Sequence, residues 1–269
     1  MIAGYVLRRN LSEQRRGILA WAAGLAVLAT IYMALYPAIR SSGVNIQQLL
    51  DKLPEAVRNA ILGAGVDYNT PTGYLGTELF AFIVPVILLV MSITNGSRAL
   101  AAEESTGTID VLLSTPLRRR RLVSEKWLSA VLPTLAVATV VWVAVAGLGP
   151  AFSVGVSLGS LALGLLAVAL MAIAFGTLAL AVAGATGKRG LGAGVAGALA
   201  VALSALNAVA PSVSGLQPVA EVLSPFHWAG GPGVLAHGVQ WPGMLALMAL
   251  PFVLVVVAAV SYDRRDISA

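Results

Sequence analysis

Long apolar segments recur along the whole chain. A membrane hydrocarbon core of about 30 Å needs about 20 helical residues to cross it. Six segments reach that length, near residues 17–36, 79–97, 128–148, 158–184, 191–210 and 243–262. The pattern predicts an all-α integral membrane protein with six transmembrane helices that form a single domain over residues 1–269.

The two longest segments outside the predicted spans differ in character. Residues 44–62 place apolar side chains at helical spacing, with polar ones on the other face. Pro54 suits the first turn of a second short helix, and Gly63 follows its end. This amphipathic segment is expected in the membrane interface or over the outer mouth of a passage. Residues 211–242, rich in Gly and Pro, predict an irregular loop anchored by aromatic side chains at the headgroups.

Composition agrees with a membrane protein. Only 11% of residues are charged and the mean hydropathy is +0.87, whereas soluble domains carry about 25% charged residues. The net charge of +5 and pI near 9.9 would suit nucleic acid. The basic residues, however, flank the apolar segments, where membrane topology accounts for them, so no nucleic-acid partner is predicted. With no cysteine, disulfides and thiolate chemistry are excluded.

The basic residues alternate in phase with the predicted spans. Fourteen Lys and Arg residues lie on one side of the membrane, and only Arg40, Lys52 and Arg58 lie on the other. Loops rich in Lys and Arg face the cytoplasm. Six spans return the chain to its starting side, so both ends are predicted to be cytoplasmic.

A cytoplasmic segment over residues 101–126 separates the second and third spans. Glu103 and Glu104 end an extension of the second span. Gly107 permits a turn, and Thr108 can cap a new short helix with Asp110 in its first turn. Alone, the two glutamates are most simply interpreted as solvated charges at a helix end.

The same short helix has a small apolar face. Ile109, Leu112 and Leu113 stand at helical spacing, and Pro116 begins a further turn. Four arginines follow: Arg118, Arg119, Arg120 and Arg121. The arginines are interpreted first as a topology signal touching anionic lipid and second as a contact for a soluble partner. The segment as a whole is typical of a docking element.

The order of these residues resembles the signature of ABC-2 type transporter permeases. In that family a segment E-E-x-x-G-T-[LI]-[ED]-x-L-L-x-x-P after the second span forms the coupling helix, which meets the ATPase subunit. The matching positions are Glu103, Glu104, Gly107, Thr108, Ile109, Asp110, Leu112, Leu113 and Pro116. The six spans and the larger outer loop after the first also fit, so the resemblance extends over the layout of the whole chain.

The resemblance implies the membrane subunit of an ATP-driven exporter. Such an exporter joins two permease chains, here expected to be identical, with two cytoplasmic ABC ATPase subunits that bind ATP and Mg. It would move a drug-like, peptide, lipid or other amphipathic substrate outward across a plasma membrane, expected to be prokaryotic. No cofactor or metal is expected on this chain. The nearest sequence to a phosphate loop, residues 184–189, lacks the first glycine (Val182) and the Ser or Thr after Lys188, so the chain itself is not expected to be an enzyme.

Other classes of function remain as alternatives. A membrane anchor that recruits a cytoplasmic partner through the same helix would share these features. A membrane-embedded enzyme is less favoured, because the paired histidines that a glutamate-based protease needs on later spans are missing. A secondary transporter is also disfavoured, since the span cores carry almost no ionisable residue. Small residues four apart, such as Ala172 and Gly176, indicate close helix packing within the chain or with a second copy.

Overall fold

The computed structural model of the protein describes residues 4–42, 46–63, 65–105, 119–213 and 215–263. These residues form helices and no β-strand, which confirms the all-α prediction. The α-helices are α1 (Tyr5–Ser41), α2 (Ile46–Leu50), α3 (Glu55–Leu62), α4 (Pro71–Leu75), α5 (Val84–Ser105), α6 (Arg119–Leu148), α7 (Leu158–Thr186), α8 (Arg189–Val209), α9 (Gln217–Leu223), α10 (Pro225–Trp228), α11 (Val234–His237) and α12 (Trp241–Asp263).

Six of the described helices are long and apolar enough to cross a membrane, as predicted. Spans 1, 3, 4, 5 and 6 are α1, α6, α7, α8 and α12. Span 2 consists of α4, the π-helical segment Gly76–Ile83 and α5. Span 1 has 37 residues, a length of about 55 Å, so its arginine-rich start extends beyond a hydrocarbon core of about 30 Å.

The two ends of the bundle are distinct. At one end, the basic end, the start of span 1 meets the starts and ends of other spans in an apolar cluster that includes Val6, Leu100, Leu122, Leu180 and Tyr262. The opposite end, the loop end, carries α2, α3 and α9–α11. The placement of the basic end in the cytoplasm stays a prediction.

Span 4 is the centre of the bundle. Its most apolar stretch is 78% buried, against 22% for span 1, 17% for span 5 and 28% for span 6. It packs against spans 2, 3, 5 and 6. Its run of alanines and glycines has little side-chain bulk, which lets several helices approach one axis closely.

The closest approach joins spans 2 and 4. A Cβ atom on Gly96 would collide with the carbonyl oxygen of Gly176, and one on Gly176 would collide with Ser92. The predicted small-residue pair of Ala172 and Gly176 therefore serves packing within the chain. Gly194, on span 5, is exposed and has open space around it.

Span 1 has one main partner. It packs chiefly along span 3 and makes few contacts with span 2. Leu25, Ala29 and Met33, at helical spacing on its inner face, are buried. The opposite face, with Val27 and Ile31, is exposed.

The loop after span 5 differs from the prediction of an irregular segment. Within its described part, prolines at the first turns of α9, α10 and the 3-10 turn Gly231–Gly233 start short helices. Phe226 and Trp228 are half-buried and pack against the core. Trp241 is exposed and fits the anchor role. The aromatic side chains fold inward because the short helices give them a surface to cover.

Two short helices follow span 1. α3 begins after Pro54 and ends before Gly63, which has φ +85°, a value that glycine adopts without strain. A Cβ on Gly63 would lie 3.0 Å from the backbone of Gly233, so glycine also permits this close contact with the loop after span 5. Leu49 and Val57 remain exposed.

Candidate functional site

The predicted docking residues lie at the basic end. Glu103 and Glu104 belong to the last described turn of α5. Arg119 is the first residue of α6. Outside the described residues lie Gly107, Thr108, Ile109, Asp110, Leu112, Leu113, Pro116 and Arg118. Helices therefore flank the predicted coupling segment on both sides and lead directly into spans 2 and 3.

Two arginines of the predicted cluster form ion pairs. Arg120 Nε lies 2.8 Å from Asp263 Oδ2, which joins the start of span 3 to the end of span 6. Arg121 Nε lies 3.3 Å from Glu125 Oε1, one helical turn away. Arg120 is largely exposed, and exposed pairs contribute only about 0–1 kcal/mol. Arg121 is about half-exposed, whereas its partner Glu125 is nearly buried. The arginines keep much of their surface free for lipid or for a soluble partner.

A buried polar cluster lies where span 3 meets the start of span 1. Glu125 and Lys126 are only 8% and 3% exposed. Lys126 Nζ donates to Asn10 Oδ1 at 3.3 Å, and the backbone N–H of Gly4 donates to Glu125 Oε1 at 3.4 Å. These contacts tie the first turns of span 1 to span 3.

The same cluster holds further buried polar atoms. Asn10 Nδ2, Gln14 Oε1 and Glu125 Oε2 are buried without a hydrogen-bond partner among the described residues. This polar junction lies at the start of the helix that follows the predicted coupling segment, which makes it a candidate for transmitting motion from that segment.

Sequence reasoning missed this cluster. Lys126 counts among the basic residues of a cytoplasmic loop if span 3 starts near residue 128, but α6 begins at Arg119 and carries Lys126 into the interior. The sequence gives only a weak indication of this cluster: Asn10 and Gln14 stand four residues apart among arginines, on one face of a helix.

A cavity of about 850 Å³ lies at the loop end. Its wall is formed by α3, the π-helical segment, span 4, the end of span 5 and the loop after span 5. Phe80, Val168 and Met171 are buried and form its apolar floor. The volume is within the range of about 300–1,000 Å³ typical of small-molecule sites.

Polar groups surround the mouth of this cavity. Exposed lining residues include Glu55, Gln217, His237 and Gln240. His227 also lines the cavity. An apolar floor with a polar mouth suits an amphipathic molecule.

A tyrosine cluster fastens the start of span 2 to span 1. Tyr74 Oη donates to the carbonyl of Tyr32 at 3.0 Å, and Tyr36 Oη donates to the carbonyl of Asn69 at 3.0 Å. Tyr68 Oη donates to Glu78 Oε1 at 2.8 Å. Burial raises the pKa of the Tyr68 phenol well above its ordinary value, and the hydrogen bond to Glu78 raises the pKa further. Tyr68 therefore stays a neutral donor to this carboxylate.

The six apolar helices, with a polar junction at one end and a cavity at the other, are typical of a multi-pass membrane protein. The family model described as "ABC-2 family transporter protein" matches residues 5–267, and the chain belongs to this family. It is accordingly a membrane permease component. A search of curated proteins finds no match.

Proposed function

We propose that this chain is the permease subunit of an ATP-driven ABC exporter that moves an amphipathic substrate outward by alternating access. The family match over residues 5–267 carries the proposal. The sequence contains no complete phosphate-loop motif, so ATP is hydrolysed on a separate subunit. Two cytoplasmic ATPases, with ATP and Mg, work with two permease chains, which are identical copies.

The coupling segment receives the ATPase. The family motif implies which residues form the contact: Glu103, Glu104, Gly107, Thr108, Ile109, Asp110, Leu112, Leu113 and Pro116. Support comes from the flanking helices: α5 is the last part of span 2, the closest neighbour of the central span, and α6 is span 3. A displacement of the segment would thus act on both helices at once.

Orientation in a prokaryotic plasma membrane follows from the charges. The described basic end carries Arg15, Arg98, Arg121, Lys188 and Arg189, among others. Anionic lipid of the cytoplasmic leaflet attracts such residues by about 1 kcal/mol each near the surface. The ATPase therefore docks at the basic end, and the loop end faces outward.

The test is co-purification in detergent with the ATPase encoded beside this gene. Glu104→Arg and Gly107→Pro should abolish co-purification, because one reverses a contact charge and the other blocks the turn. Glu13→Arg is the matched control and should retain the ATPase. Glu13 is an exposed glutamate at the same end of the bundle.

ATP-dependent efflux by the complex in vesicles completes the test. A wild-type chain that binds no ATPase contradicts the exporter proposal. An ATPase held equally by both variants contradicts the assignment of residues 103–116. A complex that forms but moves no substrate with ATP would instead support a membrane anchor.

A further inference from the structure

The charged side chains in the described lining of the loop-end cavity are of one sign. Glu55 is the only carboxylate among its described lining residues, and none of these is a Lys or Arg. The nearest cation along α3, Arg58, lies 3.5 Å from Asp51, which offsets its charge. A charged group entering the mouth therefore meets a net negative field.

The end of span 5 strengthens this field. The last turn of span 5 lines the cavity through Asn207 and Ala208. Carbonyl ends of helices carry partial negative charge. Pro211, also in the lining, has no N–H and cannot donate to the carbonyl four residues before it, that of Asn207. The carbonyl end of span 5 therefore favours a cation.

The inner part of the cavity is apolar and aromatic. Phe80 and Phe226 line it together with Met171. The Phe226 ring is fixed by Phe175, with ring centroids 5.9 Å apart. Aromatic faces attract organic cations, with an energy that rises as water is excluded.

We propose that the loop-end cavity binds an amphipathic organic cation, with its charge near Glu55 and the carbonyl end of span 5, and its apolar body against Phe80 and Phe226. The role of that cation as a transported substrate rests on the proposed function. Its binding to the permease does not, and can be measured without any ATPase.

The probe is tetraphenylphosphonium, with tetraphenylborate as an anion of the same shape. Equilibrium binding is measured on the purified full-length permease in a neutral detergent, with empty micelles subtracted. Saturable binding of the phosphonium is expected, and at least tenfold weaker binding of the borate. Glu55→Gln should weaken phosphonium binding about three- to tenfold, the effect of one charge near a partly exposed site.

Two matched controls locate the site. Asp67→Asn removes an exposed carboxylate from the same end of the bundle, outside the lining, and keeps an oxygen that can accept from the Asn69 N–H, so binding should be unchanged. Ala208→Trp fills the cavity and should abolish binding. Ala205→Trp, on an exposed position of the same helix outside the lining, should not. Circular dichroism and gel filtration verify that all variants fold.

Equal binding of borate and phosphonium, or unchanged binding in Glu55→Gln or in a folded Ala208→Trp, overturns the proposal. These failures are separate from those of the exporter assignment. If the permease binds the cation but recruits no ATPase, the cation site stands and the exporter proposal is wrong. If it recruits the ATPase but binds no cation, the exporter proposal stands and the cation site is wrong.

Discussion

The contact between spans 2 and 4 leads to a sharp prediction for Gly96→Ala. In a helix, replacing glycine by alanine is ordinarily stabilising by up to about 1 kcal/mol. At Gly96 the added methyl would collide with the carbonyl oxygen of Gly176, and would lie 3.2 Å from its Cα. Backbone atoms cannot move away as a flexible side chain can, so the two helices must separate.

The magnitude follows from the packing that separation removes. Carbon atoms pack best at about 3.5–4.0 Å, and an added gap of about 0.5–1 Å forfeits a quarter to a half of each contact energy. The contact surface around Gly96 includes Ser92 and Gly176, on the most buried span of the bundle. Overpacking of this kind costs about 1–3 kcal/mol, more than the gain in helix propensity.

Thermal unfolding of the purified protein in detergent measures the effect. Gly96→Ala should lower Tm by several degrees, since 1 kcal/mol corresponds to about 2–4 °C in a protein of this size. Gly194→Ala is the control, because Gly194 is also helical but exposed and has open space around it. That variant should be neutral or slightly stabilised. If both variants unfold at the wild-type temperature, the close approach of spans 2 and 4 is wrong.

Two further predictions concern polar contacts. Lys126→Met removes the charged donor to Asn10, and the loss of this bond, about 1.5–3 kcal/mol, is partly offset because a charge no longer has to be buried. Hydrogen exchange in the first turns of span 1 should accelerate, whereas Lys188→Met, at an exposed lysine, should leave it unchanged. Unaltered exchange in both variants would contradict the connection between span 3 and the start of span 1. Tyr68, whose pKa is raised by burial, contributes stability that is full below the ordinary phenol pKa of about 10 and falls as pH rises above it. Tyr68→Phe should lower the free energy of unfolding at pH 7 by about 1–2 kcal/mol, because the bond to Glu78 is lost. In urea unfolding measured at a series of pH values, the variant should also lose less stability above pH 10 than the wild type. An equal loss in both proteins would contradict the burial of the Tyr68 phenol.

The spans could be predicted because hydropathy over about 20 residues is a local property. Helix ends could not, since the amphipathic first turns of α1 and α6 gain their stability from each other. Lys126 illustrates this. Its position in the sequence indicates a solvated loop charge, and only its contact with Asn10, on another span, places it in the interior.

The two candidate sites also differ in how far the sequence alone predicts them. The coupling residues were predicted from one contiguous motif. The family model confirms the family that this motif indicated, while the roles of residues 103–116 stay a prediction. The cavity was not predicted, because α3, spans 2, 4 and 5 and the last loop all contribute to it. Ala172 and Gly176 signalled close packing, but their partners Ser92 and Gly96 lie far away in sequence.

The pairing of span 1 with span 3 has a consequence for biosynthesis. Span 1 leaves the ribosome before span 3, its main neighbour, which is completed only near residue 148. During that interval the first helix stands in the lipid bilayer without its native partner. Its most apolar stretch of 18 residues, with a mean hydropathy of 2.1, must hold it there. We expect Arg8, Arg9, Arg15 and Arg16 to fix its direction during insertion, before the folded bundle exists.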